Sequence, residues 1–206
     1  MIVGVQGRGM EESMTHSDFM KNYWRYYLLL EKHFETIESY VEISEENFGT
    51  FSFEFASQLQ NIGSELDAIM KEICGYVQTD RKDISNYCPT ILQKYPTLIE
   101  QKVGVRGMEI IPFENWDSNR ASQSLAWWQA YNDIKHGRVR NYKEANLGNV
   151  LSALSGLYIL ERFYLKEISE AEETIDIPDP DSKLFNAIGW DSKYIPYSKM
   201  FAAQVN

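Results

Sequence analysis

The chain has 206 residues, of which 44% are hydrophobic and 24% are charged, and its formal net charge is −10. This is enough apolar material for a domain whose core needs neither disulfides nor a metal. The acidic balance excludes a protein that coats DNA or anionic membrane non-specifically, although it leaves room for a local basic site.

The sequence predicts a cytoplasmic protein with no membrane span. It has no signal-peptide pattern, and no apolar run reaches the length of about 18 residues that a membrane helix needs. Two cysteines are too few for a disulfide scaffold, and with the three histidines they match no metal-ligand spacing. We therefore expect no metal and no cofactor. Cys74 falls within an apolar helical pattern, which favours a buried structural thiol.

Two long amphipathic helices are predicted first, near Ser17–Tyr40 and Phe51–Val77. In both stretches apolar residues recur every three or four positions, as on one face of a helix. Ser17 is a suitable N-cap for the first helix. Turn residues occupy the short loop at 44–50, and a loop of this length favours an antiparallel helix pair.

The middle of the chain is less regular. Two prolines interrupt residues 80–96, which predicts one or two short helices there. In residues 98–113, β-branched side chains flank Arg106 and Gly107 on both sides. That pattern predicts a small β-hairpin inserted into the helical domain.

A third helix is predicted to begin at Ser118 or Asn119 and to run to Lys135 or His136. Gly137 stands where a helix stop is expected.

The fourth helix should follow at once. Asn141 and Glu144 resemble a capping box, and apolar residues cover more than one face of 147–160, which places this helix at the bundle centre. The acidic stretch 167–181 is predicted to be a solvated loop, and the apolar segment 182–206 to pack back on the bundle or a partner. The sequence thus predicts one all-α domain, residues 1–206, an antiparallel helical bundle with its core at about 17–166 and a small hairpin.

The most distinctive local pattern is the segment from Tyr131 to Tyr142. On a helix, Asn132 and His136 lie four residues apart and share one side. Residues 134–143 contain no acidic residue and four basic residues, namely Lys135, Arg138, Arg140 and Lys143. This basic segment is suited to binding a phosphate. His136 has the chemistry of a general acid or base, and Asn132 could orient its imidazole.

A purely structural interpretation of the same segment is also open. Basic side chains are favoured in the last turn of any helix because they complement the negative end of its dipole. Trp127 and Trp128 would then be core residues, and Asn132 a satisfied interior amide.

Two stretches resemble the HEPN domain, an all-α bundle of prokaryotic toxins, abortive-infection proteins and CRISPR-associated ribonucleases. IGSELDAIMKEIC at 62–74 is similar to the acidic, lysine-bearing helix of abortive-infection members. YNDIKHGR at 131–138 resembles the motif in which a polar residue and a histidine end one helix and another helix follows. The resemblance covers about 17–166. Asn132 and His136 match the polar residue and the histidine, and no residue matches the arginine that precedes them in the ribonucleases.

The resemblance implies a protein of prokaryotic defence or toxin–antitoxin type. In the catalytic version, a homodimer cleaves RNA without a metal: His136 helps to deprotonate the ribose 2′-hydroxyl, a cyclic phosphate is left, and the basic side chains hold the scissile phosphate. In the non-catalytic version, the same segment from Tyr131 to Tyr142 binds RNA, a nucleotide or a protein partner such as an antitoxin. The missing arginine favours the second version. A third possibility is a helical interaction or scaffold protein.

Overall fold

The computed structural model describes residues 13–77 and 79–192, and most of these residues are helical. The first helix, α1, joins His16–Phe19, a π-helical turn at Met20–Trp24, and Arg25–Glu38. The others are α2 (Phe53–Ile73), α3 (Ile84–Lys94), α4 (Ala126–Asn141) and α5 (Leu147–Ala171). Three 3-10 turns lie at Glu45–Asn47, Leu98–Glu100 and Tyr142–Glu144. The strands are β1 (Val103–Val105), β2 (Met108–Ile110) and β3 (Phe185–Ala187).

Helices α1 and α2 pair antiparallel, as predicted. Near the start of α1, the Tyr23 hydroxyl donates to Glu72 at the end of α2 (3.4 Å). Near the end of α1, His33 Nε2 lies 2.5 Å from a carboxylate oxygen of Glu54 at the start of α2. The connection between the two helices, residues 39–52, includes the 3-10 turn at Glu45–Asn47 and reverses the direction of the chain.

Two helix starts differ from the prediction. Helix α1 is capped by Thr15 rather than Ser17, and the Thr15 side chain accepts a hydrogen bond from the backbone three residues on. Helix α5 is capped by Asn146 rather than Asn141, because residues 142–144 form a 3-10 turn before the helix begins. At the start of each helix, several residues that can act as N-caps lie close together in the sequence. The packing of the following helix determines which of them becomes the cap.

The predicted start of α4 at Ser118 or Asn119 is wrong, since the helix begins at Ala126. The Asp117 carboxylate accepts hydrogen bonds from the backbone and side chain of Asn119, and its own backbone N–H donates to the Ser124 hydroxyl. These local side-chain bonds hold residues 117–124 in turns and compete with the helical ladder.

The predicted hairpin is confirmed. Strands β1 and β2 pair antiparallel across Arg106 and Gly107, whose φ angles of 47° and 83° suit a two-residue hairpin turn. A third strand was not predicted: β3 pairs antiparallel with the other edge of β1. Gly104 allows this approach, because a Cβ there would lie 2.6 Å from the Asn186 side chain.

The segment that follows α5 packs on the bundle. Buried Glu31 of α1 accepts hydrogen bonds from the hydroxyls of Tyr27 and Ser182, and from the Lys183 backbone N–H at 2.9 Å. The Trp24 indole donates to the Pro180 carbonyl (2.8 Å). These bonds hold residues 182–192 against the bundle, as predicted, while residues 193–206 of that segment lie outside the described part of the chain.

The acidic stretch 167–181 is only in part a solvated loop. Helix α5 continues through its first residues to Ala171. Farther along, Asp176 and Pro178 are buried, so the remaining loop lies against the domain rather than in solvent.

Helix α5 lies at the centre of the bundle, as its apolar pattern predicted. Every residue from Ala153 to Arg162 is buried. Where α2 passes α4, Gly63 faces the Tyr131 ring so closely that a Cβ would lie 2.2 Å from a ring carbon. None of the helices in the described ranges is both long and apolar enough to cross a membrane.

A pair of carboxyl groups lies in this interior. Glu161 of α5 is fully buried, and neither of its carboxyl oxygens has a hydrogen-bond partner among the described residues. Burial raises its pKa well above the ordinary value, and the charge of Glu65 on α2 raises it further. Burial also raises the pKa of Glu65 to about 7. Burial raises the pKa of the nearby Tyr23 hydroxyl, and the charges of Glu72, Glu65 and Glu161 raise it further.

We expect Glu161→Gln to remove part of the pH dependence of stability. Because both carboxyl pKa values are raised, the folded state holds protons that the unfolded chain has released. This pair therefore lowers the free energy of unfolding as pH rises above the ordinary glutamate pKa near 4.5, and for Glu65 this loss runs through its folded-state pKa of about 7. Melting temperatures between pH 4.5 and 8 should fall less steeply in the variant, with exposed Glu170→Gln as the control. Parallel profiles for Glu161→Gln and wild type would contradict this assignment.

Candidate functional site

Helix α4 presents one apolar face to the core and one polar face to solvent. Trp127, Trp128, Tyr131 and Ile134 are buried, which confirms the two tryptophans as core residues. The Trp127 indole N–H donates to the Pro112 carbonyl at 2.7 Å. This anchoring fixes the rotation of the helix, so the residues between the buried positions face outward.

The helix is kinked at Gly137 rather than ended there. Gly137 has φ −156° and ψ 41°, after which a further helical turn runs to Asn141. The Asn141 side chain donates across the kink to the Asp133 carbonyl (3.1 Å). The predicted stop is thus a bend, and it turns the residues after Gly137 away from the original helix axis.

The bend forms one side of an open hollow of about 500 Å³. Four of the predicted site residues line it: Lys135, His136, Arg138 and Arg140. Ile134, Gly137 and Val139 of the same helix contribute the rest of that wall. Gln60 of α2 also lines the hollow, and the sequence alone gave no reason to single it out.

Asn132 and Lys143 lie outside this lining. Asn132 is half-buried, and its amide donates to the Trp128 carbonyl one turn earlier in the same helix (2.9 Å). Lys143 is exposed on the 3-10 turn that follows α4. The structure therefore brings four of the six predicted residues together.

The charges of the hollow are not neutralised by neighbouring acids. Within residues 13–77 and 79–192, no carboxylate lies within 4.0 Å of the Lys135, Arg138 or Arg140 charge, whereas Arg106 pairs with Glu38. The Lys135 ammonium instead donates to the Tyr131 hydroxyl at 3.1 Å. His136 is exposed beside these cations. Unpaired guanidinium groups around a concavity are suited to bidentate bonds with a phosphate.

Other reactive side chains are occupied or unreactive. Burial raises the pKa of the half-buried Cys74 thiol to about 11, and it also raises the pKa of Cys88, so both thiols are protonated at neutral pH. On α2, Asp67 pairs with Lys71. No group of three or more potential metal ligands occurs within the described part of the chain.

Fold and site together define a helical-bundle protein with a small three-stranded sheet and an open basic hollow at a helix kink. No family model matches the chain, and neither a curated protein nor a solved structure does. The resemblance to HEPN domains therefore stays a prediction, based on the residues at 62–74 and 131–138.

Proposed function

We propose that the hollow at the kink of α4 binds RNA or nucleotide phosphate, in a HEPN-like protein of prokaryotic defence or toxin–antitoxin type. The observation that carries the proposal is the gathering of Lys135, His136, Arg138 and Arg140 around one hollow without neutralising acids. In a chain of net charge −10, a phosphate would be repelled from most of the surface and attracted here.

A second candidate function is metal-independent cleavage of the bound RNA. The observation in its favour is that the His136 imidazole is exposed in the hollow, beside Arg138 and Arg140. An imidazole there can accept the proton of a ribose 2′-hydroxyl, while the guanidinium groups stabilise charge developing on the phosphate. Asn132, one turn earlier, is the residue that the HEPN resemblance pairs with His136.

The alternative is a non-catalytic interaction or scaffold protein in which the residues around the kink only pack against the core and cap the helix. The position of all four side chains around one hollow favours binding over this alternative, because complementing the helix dipole requires cations in the last turn but no shared hollow. A homodimer and an antitoxin partner belong to the proposal as further expectations. Light scattering of the purified protein tests the first, and co-purification with the product of a neighbouring gene tests the second.

Arg138→Ala and Arg140→Ala should each weaken RNA binding. The logarithm of the affinity falls with the logarithm of the salt concentration, and each lost phosphate contact makes this slope less steep by about 0.7 for a single strand. Fluorescence anisotropy of a labelled single-stranded RNA across a salt series measures both effects. Arg120→Ala is the matched control, since Arg120 is exposed but pairs with Asp117 before α4 begins.

A wild-type chain that binds no RNA or nucleotide at low salt would defeat the proposed function. Binding that Arg120→Ala weakens as much as Arg138→Ala would also defeat it, because the affinity would then belong to the overall surface rather than the hollow.

A further inference from the structure

Three aromatic side chains lie together beside the basic kink. The Tyr142 ring packs against Phe53 (centroids 4.8 Å apart, planes at 36°) and edge-on against Phe51 (5.3 Å, 84°). Phe53 is 72% exposed and Phe51 is 41% exposed, so much of this ring surface faces solvent. Aromatic side chains that contact one another and remain open to water are a candidate interaction site.

Backbone hydrogen bonds hold this aromatic cluster in place. The Leu147 N–H donates to the Thr50 carbonyl (2.9 Å), and the Ser52 N–H donates to the Ala145 carbonyl (3.4 Å). Phe51 forms an isolated antiparallel bridge with Asn146. The residues around the rings are thus fixed before any ligand arrives, which limits the entropy lost on binding.

The aromatic cluster and the hollow are formed by the same two parts of the chain. Tyr142 follows Arg140 by two residues, and Arg140 lines the hollow. On α2, Phe53 and Gln60 are seven residues apart and therefore share a helix face, separated by about 10 Å along the axis. Gln60 lines the hollow. Both segments that carry the rings therefore also supply lining residues of the hollow.

We propose that Phe53 and Tyr142 form a stacking site for an unpaired nucleobase whose phosphate lies in the hollow, an inference that rests on the proposed function. Every base has an aromatic face that stacks on such rings, whereas the bases of a duplex are already stacked and paired. The ligand class is therefore a nucleotide with a free base, either within single-stranded RNA or as a mononucleotide.

The charges argue against a second copy of the chain as the occupant. In a two-fold interface the same patch meets itself. Arg138 and Arg140 would then face the same cations of the other copy, and like charges brought together at an interface are unfavourable. A nucleotide with a free base suits both parts of this surface, because its phosphate can pair with the cations while its base stacks on the rings.

The test compares Phe53→Ala with Phe53→Leu on a short fluorescein-labelled oligoadenylate, on an abasic strand of equal length, and on duplex RNA. Both variants should weaken oligoadenylate binding about 5- to 150-fold, because leucine restores apolar area but not a stacking face. The salt slope should stay at the wild-type value, since no phosphate contact is lost. Abasic and duplex affinities should not change. Tyr26→Ala, an exposed aromatic of α1, is the control.

The two ligand sources are separated by competition with adenosine monophosphate. Displacement of the oligoadenylate near the concentration at which the strand itself competes assigns the site to mononucleotides. Displacement by the strand alone assigns it to single-stranded RNA.

Oligoadenylate binding that depends on Arg138 and Arg140 but not on Phe53 would overturn the stacking site and leave the proposed function standing. A Phe53→Ala chain that loses self-association in light scattering while keeping its RNA affinity would also overturn it, because the rings would then belong to an interface between copies. Absence of all RNA binding by the wild-type chain would refute the proposed function and the stacking site together.

Discussion

Gly63→Ala should destabilise the fold by about 3 kcal/mol, which for a chain of this length lowers the melting temperature by about 6–12 °C. The added Cβ would lie 2.2–2.5 Å from three carbons of the Tyr131 ring. That ring cannot move aside easily, because it is buried, packs against Trp128, and its hydroxyl accepts from Lys135. Crowding at this crossing separates α2 from α4, so the hollow between Gln60 and the α4 kink should also be distorted.

Gly156→Ala is the matched control for this crossing. Gly156 also lies within a buried helix, but its Cβ would meet neighbouring atoms at 3.5–3.7 Å, which is ordinary contact. The replacement should therefore preserve stability or raise it by up to about 1 kcal/mol through helix propensity. Thermal and denaturant unfolding of both variants measures the difference. In a Tyr131→Leu background, Gly63→Ala should cost less, and an unchanged cost would contradict the steric explanation.

His136→Ala should reduce RNA cleavage by a factor of about 10²–10⁴ if the hollow is catalytic, the usual contribution of a general acid or base. Affinity for a non-cleavable RNA should change little, because Arg138 and Arg140 retain their phosphate contacts. Products should carry a cyclic phosphate, and a chelator should have no effect. Single-turnover cleavage of an end-labelled RNA, read on a denaturing gel, measures all of these outcomes.

His33→Ala is the control for His136→Ala, since His33 is a partly exposed histidine that pairs with Glu54 and does not line the hollow. Cleavage that survives His136→Ala, or that needs a divalent metal, would contradict the catalytic role. A wild-type chain that binds RNA in the hollow without cleaving it would establish the non-catalytic function, in agreement with the arginine missing before Asn132.

Local periodicity was sufficient to predict three of the long helices in the bundle. Apolar residues at helical spacing predicted α1, α2 and the buried α5. A helix buries one face against the core, and the residues on that face are apolar and recur every three or four positions. Arg106 and Gly107 predicted the hairpin, since few dipeptides suit its two-residue turn. The cations at 135–143 were equally visible, because a cluster of like charge without acids departs from the chain's own composition.

The tertiary structure alone decided which side chains meet. Gln60 and Phe53 reach the site from α2, and β3 joins β1 from some 80 residues away, although no local pattern links these segments. Asn132 matched the motif by spacing, yet its amide bonds to its own helix. The rotation of α4 is set by buried Trp127 and Tyr131 against distant partners, Pro112 and Gly63. Periodicity records which face of a helix is apolar, whereas the packing partners of that face depend on the whole chain.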